Sequence, residues 1–418
     1  MTASVSQPLP ARWAVAVFLA FAAAYFMSAL LRAITATLAP TLSLELDLQA
    51  SDLGLLAGGY FLGFAATQLP LGKWLDRYGP RKVILVFLTV AVMGCAAFAW
   101  ATSFMGLLAA RVLTGAGVSA CLMAPLTGYR RWLQPHMQLR ANSWMLMTGS
   151  LGMVAATLPV QWLMPWVGWR GLFWLLADGL VLCMLALAWI VPAWTSGKPE
   201  TSGNHADRVS QGSSGYGEVW RHPYFRMMAL IGFVNYGGML AMQTLWAGPW
   251  LVRVSGQTPL ESAAGLFGIN LAMLVTFWGW GMIMPRLVGR GIRVESIMAW
   301  SLPTTFVMLM LILWLGPDSR WWHWAMFCVL STGISLAQPA VAMAFPAHMA
   351  GRALSAYNLV IFSGIFVMQW SVGLGIDLFT WLGTTDANAF RATMGVFLVL
   401  SLISYGRFLQ MKAHNPVS

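Results

Sequence analysis

The chain has 418 residues, of which 59% are hydrophobic and 9% charged, with 23 Trp, 27 Met and a formal net charge of +11. So few polar residues cannot cover the surface of a soluble protein of this length, which excludes an ordinary water-soluble enzyme or binding module. The apolar residues gather into runs of about 20, the number that crosses a bilayer core as a helix, so most of the chain reads as transmembrane.

Twelve such runs follow one another, at about 13–39, 52–72, 83–102, 107–128, 143–165, 171–191, 226–251, 261–285, 295–316, 322–346, 353–378 and 391–410. The first is read as a retained helix rather than a cleaved leader, because only Arg12 precedes it, it is too long, and no convincing small-residue cleavage site follows. With the N-terminus in the cytoplasm, most Lys and Arg residues of the loops lie on that side. Arg170, Arg253, Arg320 and Arg391 fall outside, and Arg32 and Arg111 fall within runs. That asymmetry is the positive-inside pattern, so the net charge reports topology and not a nucleic-acid surface. Cys95, Cys121, Cys183 and Cys328 all lie within runs, as small packing residues and not a disulfide framework.

The first run contains Arg32, and a charge inside a span marks a functional site by default. It lies about 30 Å along a helix begun near Trp13, towards the outer half. Tyr25, Ser28, Arg32 and Thr35 share one helix face, a polar stripe predicted to line a cavity. Tyr60 and Thr67 add polar groups in the second run. Between the second and third runs, "GKWLDRYGPRK" (Gly72 to Lys82) packs five charged side chains into eleven residues. The fourth run contains "RVLTGAGVSA", with Arg111 about a turn inside and placed to snorkel outward, and Gly115 and Gly117 small enough for close helix contact.

After the sixth run, Thr195 to Glu218 is rich in Gly, Ser and charge and lacks apolar periodicity. The predicted fold is therefore an all-α membrane protein of twelve transmembrane helices in two six-helix bundles. The bundles are residues 1–194 and 223–418, joined by a cytoplasmic linker at 195–222. The seventh run offers Asn235, Tyr236 and Gln243, the last two on one face. Further candidate cavity groups are Ser331, Ser335 and Gln338 in the tenth run and Asn358 and Gln369 in the eleventh, each also suited to bonding between helices. Trp246 and Phe362 are candidates for stacking on a substrate, and Asp178 and Asp377 for relaying protons.

The segment Gly72, Asp76, Arg77, Gly79, Arg81 and Lys82 resembles the loop pattern G-x-x-x-D-R-x-G-x-R-R/K of the major facilitator superfamily, in residue type, spacing and position between the second and third helices. The 6+6 plan is that of the same superfamily. The resemblance implies that Asp76 braces the cytoplasmic ends of the two halves when the protein opens outward, with the basic residues joining that latch. The corresponding loop of the second half, "GMIMPRLVGRGIR", keeps the glycine and arginines but has Pro285 in place of the acid. The Arg111, Gly115 and Gly117 spacing resembles the family's R-x-x-x-G-x-G pattern in the fourth helix.

The run "YFMSALLRAITATLAPTL", with Arg32 followed eight positions on by Pro40, resembles the first helix of organophosphate:phosphate antiporters and anion:cation symporters. The resemblance implies that Arg32 binds an anionic group, for which a guanidinium provides a planar fork. The second substrate arginine of the antiporters is missing from the seventh run, which favours a singly charged carboxylate over a dianionic phosphate. The acid that often precedes the arginine in the symporters is Leu31 here, so their proton-coupling residue does not carry over. The fifth run lacks the nitrate-porter signature and the drug-antiporter pattern G-x-x-x-G-P-x-x-G-G.

No catalytic constellation such as H-E-x-x-H or G-x-S-x-G appears, and neither a cofactor nor a metal site is expected. The reading is a secondary active transporter importing a small organic anion, coupled to a proton or another ion. It is expected to be a monomer in a bacterial inner membrane with both termini cytoplasmic. Export of drugs or metabolites, siderophore import and, on the strength of Met239, Met242, His348 and Met349, soft-metal transport are the alternatives.

Overall fold

The computed structural model describes residues 9–193 and 216–414, so the expected linker lies largely outside the described residues. The first half contains α1 (Ala11–Leu46), α2 (Ala50–Ala66), α3 (Gln68–Trp100), α4 (Phe104–Val118), α5 (Ala120–Trp132), α6 (Pro135–Ala155) and α7 (Leu158–Ile190). Then come the short α8 (Tyr216–Arg221), α9 (Pro223–Arg253), α10 (Pro259–Gly289), α11 (Val294–Leu315), α12 (Trp321–Met343), α13 (Ala347–Trp381) and α14 (Asp386–His414).

Among the described residues, ten stretches of helix are long and apolar enough to cross a membrane. The remaining two of the twelve expected crossings are built from α2 and α6, each completed by the first arm of the helix that follows. That happens because α3 and α7 are broken by glycine. Gly79 has φ 78° and ψ 162°, and Gly168 has φ 64° and ψ 174°, a backbone region closed to residues with a Cβ. Each break ends one crossing and begins the next, so the helices reach well beyond the apolar runs. With twelve crossings, the described residues nearest the two ends, Leu9 and His414, lie on the same side as the Gly79 break, here called the termini face; the opposite side is the far face.

α1 continues through Pro40 and stops where Asp47 turns left-handed (φ 50°, ψ 44°). Proline has no N–H to give, so the Ala36 carbonyl loses its helical partner. The helix α9 approaches there, with Gly248 against that carbonyl. Two π-helical turns, Gly232–Tyr236 and Met242–Trp246, interrupt α9; such bulges are frequent at functional sites.

The two halves meet along α2 with α13, α1 with α9, and α6 with α10. The first pair forms a seam near the far face. A Cβ on Gly54 would collide with the backbone of Gln369, and one on Gly373 with the backbone of Ala50, so the helices touch main chain to main chain. Asp377 of α13 seals the seam by accepting from the backbone N–H of Ala50 at 3.0 Å and of Ser51 at 2.8 Å. These are unsatisfied donors of the α2 N-terminus, where the helix dipole also favours a carboxylate. Close by, Glu45 at the end of α1 pairs with Arg170 and accepts from Trp169 Nε1 at 2.6 Å, holding the α7 break.

Candidate functional site

A cavity of about 600 Å³ lies between the halves. Tyr25 and Arg32 of α1, Tyr236 and Gln243 of α9, and Gln338 of α12 line it, as the sequence predicts. So does Ser335 of α12. The α6 side supplies Trp144, Met147 and Met153, and the α10 side Asn270, Met273, Phe277 and Trp278. These positions run from the middle of the helices towards the termini face, away from the seam. Most of the wall is apolar and its polar groups are few, the composition of a small-molecule site.

Arg32 is half-buried, and its Nε lies buried without a hydrogen-bond partner. The groups acting on its charge are the hydroxyls of Tyr25, Tyr60 and Tyr236, and its guanidinium centre lies 5.8 Å from the Phe64 ring. Tyrosines polarise towards a cation without neutralising it, so an anion entering the cavity meets a charge that no carboxylate among those neighbours has cancelled.

The rest of the expected stripe faces elsewhere. The Tyr60 hydroxyl donates to the Ser28 carbonyl at 2.9 Å and lies 3.4 Å from Ser28 Oγ, so both residues tie α2 to α1 behind the cavity. Thr35 is buried in packing. Asn235 donates to Ser404 Oγ of α14 at 2.8 Å, and Gln369 donates to Thr244 Oγ1 at 2.9 Å. Asn358 accepts from Gln338 Nε2 at 2.6 Å and donates to Gln68 at 3.4 Å. These amides bond helix to helix, and their positions in apolar runs gave no sign of which way each would turn.

Trp246 is fully buried with Nε1 donating to the Gln369 carbonyl at 3.1 Å, and Phe362 packs against Phe64 with centroids 4.3 Å apart and rings tilted by 41°. Neither lines the cavity. Asp178 is exposed and Asp377 is occupied at the α2 N-terminus, so neither expected proton relay borders it. Asn270, buried in α10 and bonded to Gln243, is a lining residue that sequence reasoning missed. Its signal was available: it is a lone amide in an otherwise apolar run.

Arg111 does not snorkel. It is 1% exposed, donates from Nη1 to the Leu31 carbonyl at 3.0 Å, and lies 5.2 Å over the Tyr60 ring. The α4 helix comes so close to α2 and α3, with Gly115 against the Tyr60 backbone and Gly117 against that of Ala91, that the side chain has only the core to enter. In the charged segment Gly79 makes the break, Arg81 donates to the Ala188 carbonyl at the end of α7, and Arg77 lies over the Tyr78 ring. Gly72, Asp76, Arg77 and Lys82 are exposed at the termini face.

A family model described as Major Facilitator Superfamily matches residues 21–369. Among curated proteins, the 4-hydroxybenzoate transporter PcaK of Acinetobacter baylyi is 24% identical over 59% of this chain and 60% of its own length. The hexuronate transporter of Escherichia coli is 26% identical over 39% of this chain and 37% of its own. The chain thus spans less than two thirds of the length of these relatives. A bacterial homolog of the human lysosomal transporter Spinster, solved in an inward-facing and unoccupied conformation, shares the fold with a TM-score of 0.78. It is 17% identical and covers 97% of this chain and 98% of its own.

Proposed function

Because the chain belongs to the major facilitator superfamily and is a multi-pass integral membrane protein, we propose that it is a secondary transporter that imports a small organic anion, a carboxylate, coupled to a proton or another ion. The observation that carries this reading is Arg32. It is a cation at a cavity wall, with a buried unpartnered Nε and tyrosines rather than carboxylates around it. An intramembrane charge left in that state suits a ligand of opposite sign. Two relatives support the sign, since hydroxybenzoate and hexuronate are both carboxylates.

In this reading the termini face is the cytoplasmic face of a bacterial inner membrane, and the halves, residues 1–194 and 223–418, rock about the cavity across the linker at 195–222. The cavity on the termini side and the sealed seam on the far side correspond to the inward-facing stage. The segment Gly72, Asp76, Arg77, Gly79, Arg81 and Lys82 latches the opposite stage, with Arg111, Gly115 and Gly117 holding the first bundle together. Ser28, Tyr60, Asn235, Asn358 and Gln369 support the substrate-bearing helices, and Tyr25, Tyr236, Gln243 and Gln338 complete the lining.

The test is uptake of radiolabelled monocarboxylates by cells expressing the protein, with each acid's neutral amide as competitor. Acids are expected to accumulate and to compete, and amides to do neither. Preferential uptake of an amine or a metal ion overturns the assignment.

A further inference from the structure

The wall opposite Arg32 contains a second buried atom in want of a partner. Gln243 is 3% exposed and lines the cavity, and its Oε1 has no hydrogen-bond partner. An amide can usually turn over and exchange its oxygen for its nitrogen, but here a chain of bonds forbids it. Asn270, 2% exposed, donates from Nδ2 to the Leu266 carbonyl at 2.9 Å. A carbonyl only accepts, so Nδ2 must point there and Oδ1 must point away. That oxygen accepts from Gln243 Nε2 at 3.0 Å. Turning Gln243 over would set two acceptors against each other. The Leu266 carbonyl therefore fixes Asn270, Asn270 fixes Gln243, and the amide oxygen of a cavity-lining residue is left as a buried acceptor without a partner.

We infer that the transported anion carries a hydrogen-bond donor as well as a carboxylate, a hydroxy acid in the simplest case. Its carboxylate meets Arg32, its hydroxyl donates to Gln243 Oε1, and Asn270 is the positioning residue that makes the site discriminate. This rests on the proposed anion-transport function and narrows its substrate class. Gln243 Oε1 is buried at the wall of the cavity, and a solute packed against that wall either donates to it or does not. One that cannot donate leaves a buried acceptor unsatisfied, whereas one with a donor does not. Ser335 Oγ, also unpartnered at the wall, rotates freely between donating and accepting and imposes no such choice.

The experiment measures equilibrium binding to the purified full-length protein. The probes are matched sets of monocarboxylates: a hydroxy acid, its deoxy counterpart, and its methyl ether, which accepts but cannot donate. In at least one set the hydroxy acid is expected to bind about tenfold or more tightly than the other two. In Gln243→Leu that ratio should collapse towards one. In Asn270→Leu the released amide can turn over, so the ether should gain on the hydroxy acid. Arg32→Ala separates the two readings. If it abolishes binding of all acids while the wild type shows no hydroxyl preference in any set, the donor inference fails and the anion reading stands. If acids bind equally well without Arg32, the anion reading itself fails. A hydroxyl preference that survives in Gln243→Leu also overturns the inference.

Discussion

The cavity and the far-face seam join the same two halves of the molecule by opposite means. At the seam, glycines bring main chain against main chain, and the carboxylate of Asp377 finds two backbone donors in place. At the cavity, bulky Trp, Met and Tyr side chains hold the halves apart, and Arg32 Nε and Gln243 Oε1 are left without partners. An unpartnered atom does not by itself distinguish the two regions, since Gln369 Oε1 at the seam also lacks a partner; what differs is that a cavity adjoins Arg32 and Gln243, whereas the seam is close-packed. The same sequence thus separates closure from recognition by where it places glycine and where it leaves space beside a polar group.

The contrast breaks most sharply at Arg32. Arg32→Ala is expected to lower carboxylate affinity by about 30- to 5,000-fold, the range for losing one buried charged contact, and to abolish uptake. Arg32→Lys should be nearly as damaging, since an ammonium lacks the planar fork. Arg32→Ala should purify as folded protein, because removing an intramembrane charge relieves a desolvation cost. Full uptake by Arg32→Ala would make the cavity as inert as the seam.

The seam is broken by bulk. Gly373→Leu forces a side chain against the Ala50 backbone, an overpacking that costs about 1–3 kcal/mol in a close-packed region. Cysteine labelling at the far face should rise by roughly fivefold or more, with uptake reduced. Unchanged labelling would show that the seam does not hold the far face closed.

A smaller effect is expected from Asp377→Asn, which removes the charge but keeps an acceptor. The loss should be that of a carboxylate at a helix N-terminus, about 0.3–1 kcal/mol. Far-face labelling should then rise only about two- to fivefold, and a change as large as that of Gly373→Leu would assign the sealing to charge and not to packing.

Asp76→Asn sharpens the comparison from the opposite face. If Asp76 latches the outward-open stage, its loss should move labelling towards a closed far face, with uptake depressed by a few fold and equilibrium binding nearly intact. Movement in the same direction as Asp377→Asn would remove the latch role.

The twelve crossings were legible because each needs its own apolar run. Their lengths were not, since α3 and α7 carry on through Gly79 and Gly168 by local backbone geometry that hydropathy does not register. Arg32, Tyr25, Tyr236, Gln243 and Gln338 were legible as lining residues, with Arg32 conspicuous because charge is rare in a span. For Asn235, Asn358 and Gln369, polarity inside a span showed that a partner was needed but not whether it would be a ligand or another helix. Arg111 was misjudged for a related reason. Its depth allowed it to reach a face, but the glycines beside it pack α4 so tightly that it turned inward to the Leu31 carbonyl.

The tyrosine surroundings of Arg32 also have an electrical meaning. With no carboxylate among the groups that act on it, the empty site is a positive centre, and a bound monocarboxylate makes it neutral. A membrane potential exerts about 2.3 kcal/mol per elementary charge per 100 mV on charge crossing the whole field. It therefore acts on the reorientation of the vacant carrier, and on that of the loaded one only through the charge that a coupling ion adds. A monocarboxylate bound alone crosses the field as a neutral complex, whereas one bound together with a proton crosses as a single positive charge, like the vacant site, and the whole cycle then moves no net charge. The voltage dependence of uptake in vesicles thus reads the summed charge of cargo and coupling ion.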